Sequence, residues 1–268
     1  MTDFEDAPQR LLVEALGTFA LCFMGVGSII LTQGQDIVAI ALAHGLAIGL
    51  MVAAAGHISG GHYNPAVTIG ALIAGRIAPG PALGYIIAQL VGGVAGAAAL
   101  TLTFLDVDRN EVNLGLPSVG SSITTDPVVA LSSGNALAME AILTFFLMFV
   151  IIGTAMDNRT GGRAIAGLAI GLTISMGVLA GGTVSGAAMN PARWFGPAVV
   201  QQDFTDFWIW IVGPIAGAAV AAFVYSVFLM GDGNLPAHSD TGSASAQETP
   251  VVQSPKATAT SRSRRKRR

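Results

Sequence analysis

The chain has 268 residues, 52% of them hydrophobic and only 11% charged, with a formal net charge of -3. A soluble domain carries about a quarter charged residues, so this composition excludes a water-facing enzyme, a nucleic-acid binder and a disordered protein. The 34 glycines follow no G-X-Y period and point to helices packed closely in lipid, and a lone Cys22 excludes an intramolecular disulfide or a Cys-based zinc site.

Residues 1–10 read as a short cytoplasmic N-terminus with three acids and only Arg10, unlike the basic start of a cleaved signal peptide. A spanning helix needs about 20 mostly apolar residues. Leu11–Leu31 qualifies, interrupted by Glu14, and Ile37–Gly56 qualifies, interrupted by His44. Pro81–Leu105 is the third span, and Asp106–Gly134 is a polar loop. Asn135–Met156, Arg163–Ala180 and Phe207–Met230 complete six spans within one membrane domain, residues 11–230. From about Gly231 the chain turns rich in Ser, Thr, Ala, Pro and Gln and ends SRSRRKRR, which predicts a disordered basic cytoplasmic tail over 231–268.

Two apolar stretches are too short to span. Asn64–Ile77 and Asn190–Val200 each open with Asn-Pro-Ala (Asn64, Pro65, Ala66 and Asn190, Pro191, Ala192). An Asn cap followed by Pro at the first helical position is a strong helix start. At about 1.5 Å per residue, roughly ten helical residues cover only half the hydrocarbon thickness. With the N-terminus inside, Arg10, Arg76, Arg159, Arg163 and the tail fall on the cytoplasmic side, leaving only Arg109 and Arg193 outside.

The halves, about 11–105 and 135–230, repeat each other. Glu14-x-x-x-Thr18-Phe19 recurs as Glu140-x-x-x-Thr144-Phe145 and Asn64-Pro65-Ala66 as Asn190-Pro191-Ala192, both 126 residues on. Gly45–Leu50 and Gly167–Leu172 both read GLAIGL, and Val94–Ala98 is echoed by Ile215–Ala219. Three spans per half means that the second half crosses in the opposite sense, an inverted repeat. The predicted fold is therefore an all-α membrane protein of six transmembrane helices plus two half-helices that dip in from opposite faces. Non-helical backbone at that depth survives only buried in protein or around a water-filled cavity, so a pore is expected where the half-helices meet.

Each half-helix N-terminus carries roughly half a positive charge. Two of them facing one point would cost a cation at 4 Å about 4 kcal/mol at an effective dielectric of 20. Neutral solutes escape this barrier. Asn64 and Asn190 can cap their helices and still offer amide N–H groups to the lumen.

The segments HISGGHYNPAVT and SGAAMNPAR resemble the two signature loops of the aquaporin, or major intrinsic protein, family, and the likeness covers about residues 10–230. The resemblance implies a passive channel for water and small neutral solutes, not an enzyme, without cofactor or metal. It also implies a homotetramer in the lipid bilayer of the cell membrane, with one pore per subunit. Glu14 and Glu140 would accept hydrogen bonds from the loops before the half-helices. His57 and His62 flank the first loop; His57 reads as bonding within that loop in preference to gating, and His62 as lining the inner pore mouth.

By spacing from the Asn-Pro-Ala triplets, the family's four-residue selectivity filter falls on His44, Val178, Ala187 and Arg193, all on the extracellular side. Strictly water-selective members carry Phe at the His44 position and His at the Val178 position. The combination here implies a wider filter, similar to tonoplast-type and ammonia-permeable members. Trp194 and Ala198 stand where glycerol facilitators carry Asp and a basic residue, which speaks against glycerol. Trp194 also departs from the small Ser or Thr of water channels, which bears on packing around the filter. Cys22 is expected to face a helix or lipid, away from the Ala187 position at which mercurials act. The alternatives are a polyol facilitator and an ion-coupled transporter, the latter needing a midplane titrating cluster that Glu14 and Glu140 alone do not supply.

Overall fold

The computed structural model describes residues 7–121, 128–159 and 162–230; the expected basic tail and most of the N-terminal segment lie outside the described residues. Six helices among these residues are long and apolar enough to span: α1 (Ala7–Thr32), α2 (Ile37–Ser59), α4 (Pro79–Thr103), α6 (Ser133–Met156), α7 (Ala166–Ser185) and α9 (Ile209–Leu229). The half-helices are α3 (Pro65–Ile73) and α8 (Pro191–Gln201). A short α5 (Asp106–Glu111) lies within the stretch expected to be wholly loop.

Local chemistry sets the ends, and several differ from the hydropathy limits. Asp36 caps α2, accepting from the N–H groups of Val38 (3.1 Å) and Ala39 (2.9 Å). That helix runs past Gly56 to Ser59 because its stop is Gly60, held at φ +92°. Helix α3 ends at Ile73 instead of reaching Ile77, where Gly75 takes φ +68°. Helix α7 starts three residues later than Arg163, after a 3₁₀ turn over Gly162–Ile165. It continues past Ala180 through Gly181 and Gly182 and stops at Gly186, φ +77°. Helix α1 starts a turn earlier than Leu11, because Pro8 is harmless in a first turn.

The two halves interlock around a pseudo-twofold axis. Helix α2 packs along α7. A Cβ on Gly45 would lie 2.4 Å from the Gly171 carbonyl oxygen, and one on Gly171 would lie 2.6 Å from that of Gly45. This reciprocity makes Gly45 and Gly171 equivalents, at the same separation of 126 that relates Asn64 to Asn190. The two GLAIGL strings, 122 residues apart, are therefore displaced by one helical turn and are not structural equivalents. Each half-helix leans on the third span of the opposite half, α3 on α9 and α8 on α4. The inverted repeat is thus an exchange in which neither half closes its own passage.

Candidate functional site

The loops entering the half-helices have matching backbones. Gly60, Gly61 and Tyr63 take positive φ in the first, and their equivalents Gly186, Ala187 and Met189 do so in the second. Ala187 (φ +44°), Tyr63 (φ +50°) and Met189 (φ +50°) are non-glycine residues in the left-handed region, a strain that must be held from outside.

Two buried carboxylates hold it. Glu14 accepts from Ser59 Oγ (2.6 Å), His62 N (3.0 Å), Tyr63 N (2.6 Å) and Gln89 Nε2 (2.8 Å). Glu140 accepts from Ser185 Oγ (2.7 Å), Ala188 N (2.8 Å) and Met189 N (2.7 Å). Backbone donors in lipid-depth loops must find protein acceptors, and these carboxylates are the acceptors. Both are fully buried.

Beyond the loops the half-helices meet end to end. Asn64 Oδ1 accepts from Ala66 N at 2.8 Å, and Asn190 Oδ1 accepts from Ala192 N at 2.9 Å. Each side-chain amide then crosses the junction: Asn64 Nδ2 donates to the Met189 carbonyl (2.7 Å) and Asn190 Nδ2 to the Tyr63 carbonyl (2.8 Å). One N–H of each amide is left for the passage that both residues line.

That passage runs between an apolar wall, including Leu21, Ile48, Leu147, Ile151, Ile170 and Ile174, and the backbones of the two loops. Its volume is about 20 Å³, against about 330 Å³ for the wider cavity at the Arg193 end. One water needs about 10–15 Å³, so the narrow part has room for one or two waters. His44 lines both cavities and marks their junction, with Ala187 on the narrow side and Val178 and Arg193 on the wide side. His62 lines the narrow passage toward its other end.

The proton positions at the junction follow from the acceptors. His44 Nδ1 lies 2.8 Å from the Ile40 carbonyl and must donate to it. Nε2 then keeps its lone pair and faces Arg193 Nη2 at 3.4 Å. This imidazole is a neutral acceptor. Arg193 Nη1 donates to the Gly115 carbonyl at 2.9 Å. Arg193 is 2% exposed and has no carboxylate partner among the described residues, so its charge is directed at the passage.

Some participants were not singled out in the sequence. Gln89 Nε2 bridges Glu14 and Thr68 Oγ1 (2.9 Å), and His62 Nδ1 reaches the same hydroxyl at 3.2 Å. A lone amide in the apolar third span was a signal of the same kind as His44. Ser59 and Ser185, which also bond the carboxylates, stand 126 residues apart, so the repeat itself marks them. His57 is corrected: it lies exposed on α2 and takes no part in the loop network. Cys22 is fully buried, its Sγ 4.0 Å from the carbonyls of Ala192 and Arg193, so it faces the start of α8 and not lipid. Trp194 finds its place by stacking on Trp210, with ring centroids 6.0 Å apart and planes 6° from parallel. Trp210 Nε1 donates to the Ser185 carbonyl at 2.9 Å.

Six spans in an inverted repeat, with two re-entrant half-helices meeting at a narrow passage, define a transmembrane channel of the aquaporin type. The chain belongs to the major intrinsic protein family, whose sequence model, described as Major intrinsic protein, matches residues 3–225. It is 42% identical over 222 residues to a probable aquaporin NIP-type of Nicotiana alata, covering 82% of this chain and 77% of that protein. It is 39% identical over 259 residues to a probable aquaporin TIP3-2 of Arabidopsis thaliana, covering 91% and 92%. Nodulin-26 of Glycine max is 38% identical over 223 residues, covering 82% and 77%. Among solved structures, the aquaglyceroporin from Plasmodium falciparum superposes with a TM-score of 0.74 at 25% identity, covering 83% of this chain and 96% of that one.

Proposed function

We propose that the chain forms a passive channel for water and small neutral solutes, ammonia among them, and that it rejects ions and protons. The observation carrying this reading is the junction itself. Two capped half-helices point their N-termini at a narrow passage, with Arg193 and the neutral His44 beside it. Roughly one unit of positive charge at 4 Å costs a cation about 4 kcal/mol, about a thousandfold, before any dehydration. A water whose lone pairs are held by the two Asn amides cannot relay a proton through its neighbours.

His44 and Val178 form the filter with Ala187 and Arg193 on this reading, and the small imidazole and aliphatic side chain widen it for ammonia. The protein sits in the cell membrane with both termini cytoplasmic and assembles as a homotetramer with one passage per subunit. Light-scattering of reconstituted vesicles under osmotic and ammonia gradients tests the proposal. Flux of both above that of empty vesicles, without proton conductance, is expected; no flux of either ends the reading. The likeness to an aquaglyceroporin supports polyol passage as a second reading, against which stand Trp194 and Ala198, both buried where facilitators place charge. Glycerol flux comparable to water flux would favour that alternative.

A further inference from the structure

We infer that Gly25, on α1 and outside the four filter positions, sets the width of the filter by leaving room behind the imidazole of His44. The inference rests on reading His44 as a filter residue at the junction between the narrow passage and the wider cavity that Arg193 lines. Helix α1 leaves regular α-helical geometry over Leu21–Val26, where it forms a π turn, and Gly25 is a buried residue of that turn. Such turns re-aim side chains and backbone locally.

A Cβ on Gly25 would lie 2.6 Å from both Cδ2 and Nε2 of His44 and 2.9 Å from Cε1. Carbon atoms sit comfortably at about 3.5–4.0 Å, so a methyl group here forces the ring tip to move by about 1 Å. The ring is held by the bond from Nδ1 to the Ile40 carbonyl, so it swings about that anchor. Behind the tip is α1; ahead of it are the passage and Arg193 Nη2, 3.4 Å from Nε2. The displaced ring therefore closes on the junction where the narrow passage opens into the wider cavity.

The other half of the repeat supplies the contrast. At a separation of 126, the equivalents of Gly25 and His44 are Ile151 and Ile170, and both line the narrow passage. There, two bulky side chains share the wall. At the filter, a glycine lets one large side chain lie back against the helix. Gly25 is a positioning residue: it touches no solute and acts through the imidazole.

The test is a two-by-two set of purified channels in vesicles: the native chain, Gly25→Ala, His44→Ala and Gly25→Ala/His44→Ala. Water and urea flux are read per assembled channel. Gly25→Ala in the native background is expected to cut flux about fivefold or more, the low end of what overpacking a tight site costs. In the His44→Ala background the same change is expected to leave both fluxes within about twofold, because the group it displaces is gone. Equal losses in the two backgrounds, or no loss in the native one, overturn the inference while the channel reading stands. A native chain that conducts neither solute overturns both. If the single variant fails to assemble, the double decides. An assembled double with the flux of His44→Ala supports the inference, and a double that also fails to assemble overturns it.

Discussion

Asn64 and Asn190 each use one side-chain amide to cap a helix and to fasten that helix to the other half of the molecule, donating across the junction to the carbonyls of Met189 and Tyr63. The half-helices thus hold each other in position at their tips. Their sides rest on α9 and α4, each contributed by the opposite repeat. A passage framed this way has half-helix dipoles on one side and an apolar wall on the other, and on the proposed reading it passes solutes that are small, neutral and able to accept hydrogen bonds.

Glu140→Gln should unseat the second loop. The carboxylate accepts from two backbone N–H groups and from Ser185, and an amide offers only one acceptor oxygen plus two unwanted donors. A buried donor left without an acceptor costs about 1–3 kcal/mol, so the variant is expected to unfold in detergent at clearly lower temperature and to conduct poorly per channel. Light-scattering beside a thermal melt measures both.

Mercurials should act weakly on the native channel, because Cys22 is fully buried behind α8 and lines neither cavity. Ala187→Cys places a thiol on the narrow passage and is expected to create a block that reducing agent reverses. Strong block of the native chain that Cys22→Ala abolishes would contradict the placement of that residue.

Trp194→Ser should destabilise the chain. It removes the stack on Trp210 and a large buried side chain, changes that together cost about 3–5 kcal/mol. The loss is expected toward the lower end, because Trp194 Nε1 is buried without an acceptor among the described residues. Chemical denaturation in detergent reads the difference.

Outside the membrane-spanning segments, Asp157 accepts from Arg159 Nη2 at 2.6 Å, and Arg159 also reaches the Leu229 carbonyl at 2.7 Å, tying the end of α6 to that of α9. The Arg159 side chain and then its backbone N–H hold the Asp157 carboxyl well below the usual carboxylate range. A depressed folded-state value means that the stabilisation is fully present above the unfolded value, about 3.9, and is lost as pH falls through the folded one. Melting temperature is therefore expected to be insensitive to this pair from about pH 5 to 8. Asp157→Asn should lower it there and reduce its fall at more acid pH.

The spans, the two half-helices and their opposed senses were legible in the sequence to within about a turn and a half, because lipid demands long apolar runs and Asn-Pro-Ala is a helix start wherever it stands. The register of the repeat was less so. GLAIGL matches itself at 122, yet the glycines that touch are 126 apart, since packing needs a small residue at a contact and any neighbouring turn may carry another. Gln89 carried a mark in sequence, a lone amide in an apolar span, but not the identity of its partner, and Gly25 carried neither. What faces them, Glu14 in one case and His44 in the other, is fixed only once helices are placed. His57 misled because a histidine beside the first loop has no mark in sequence telling the loop side of a helix from its exposed side.

The most direct test of the account is proton conductance measured beside water flux, in vesicles carrying a pH-sensitive dye, for the native chain and for Arg193→Val, which installs the residue found at the equivalent position, Val67. The account predicts that the native channel carries water with no proton current above that of empty vesicles, and that Arg193→Val widens the solute range and weakens exclusion of cations. A native channel that conducts protons together with water would contradict it.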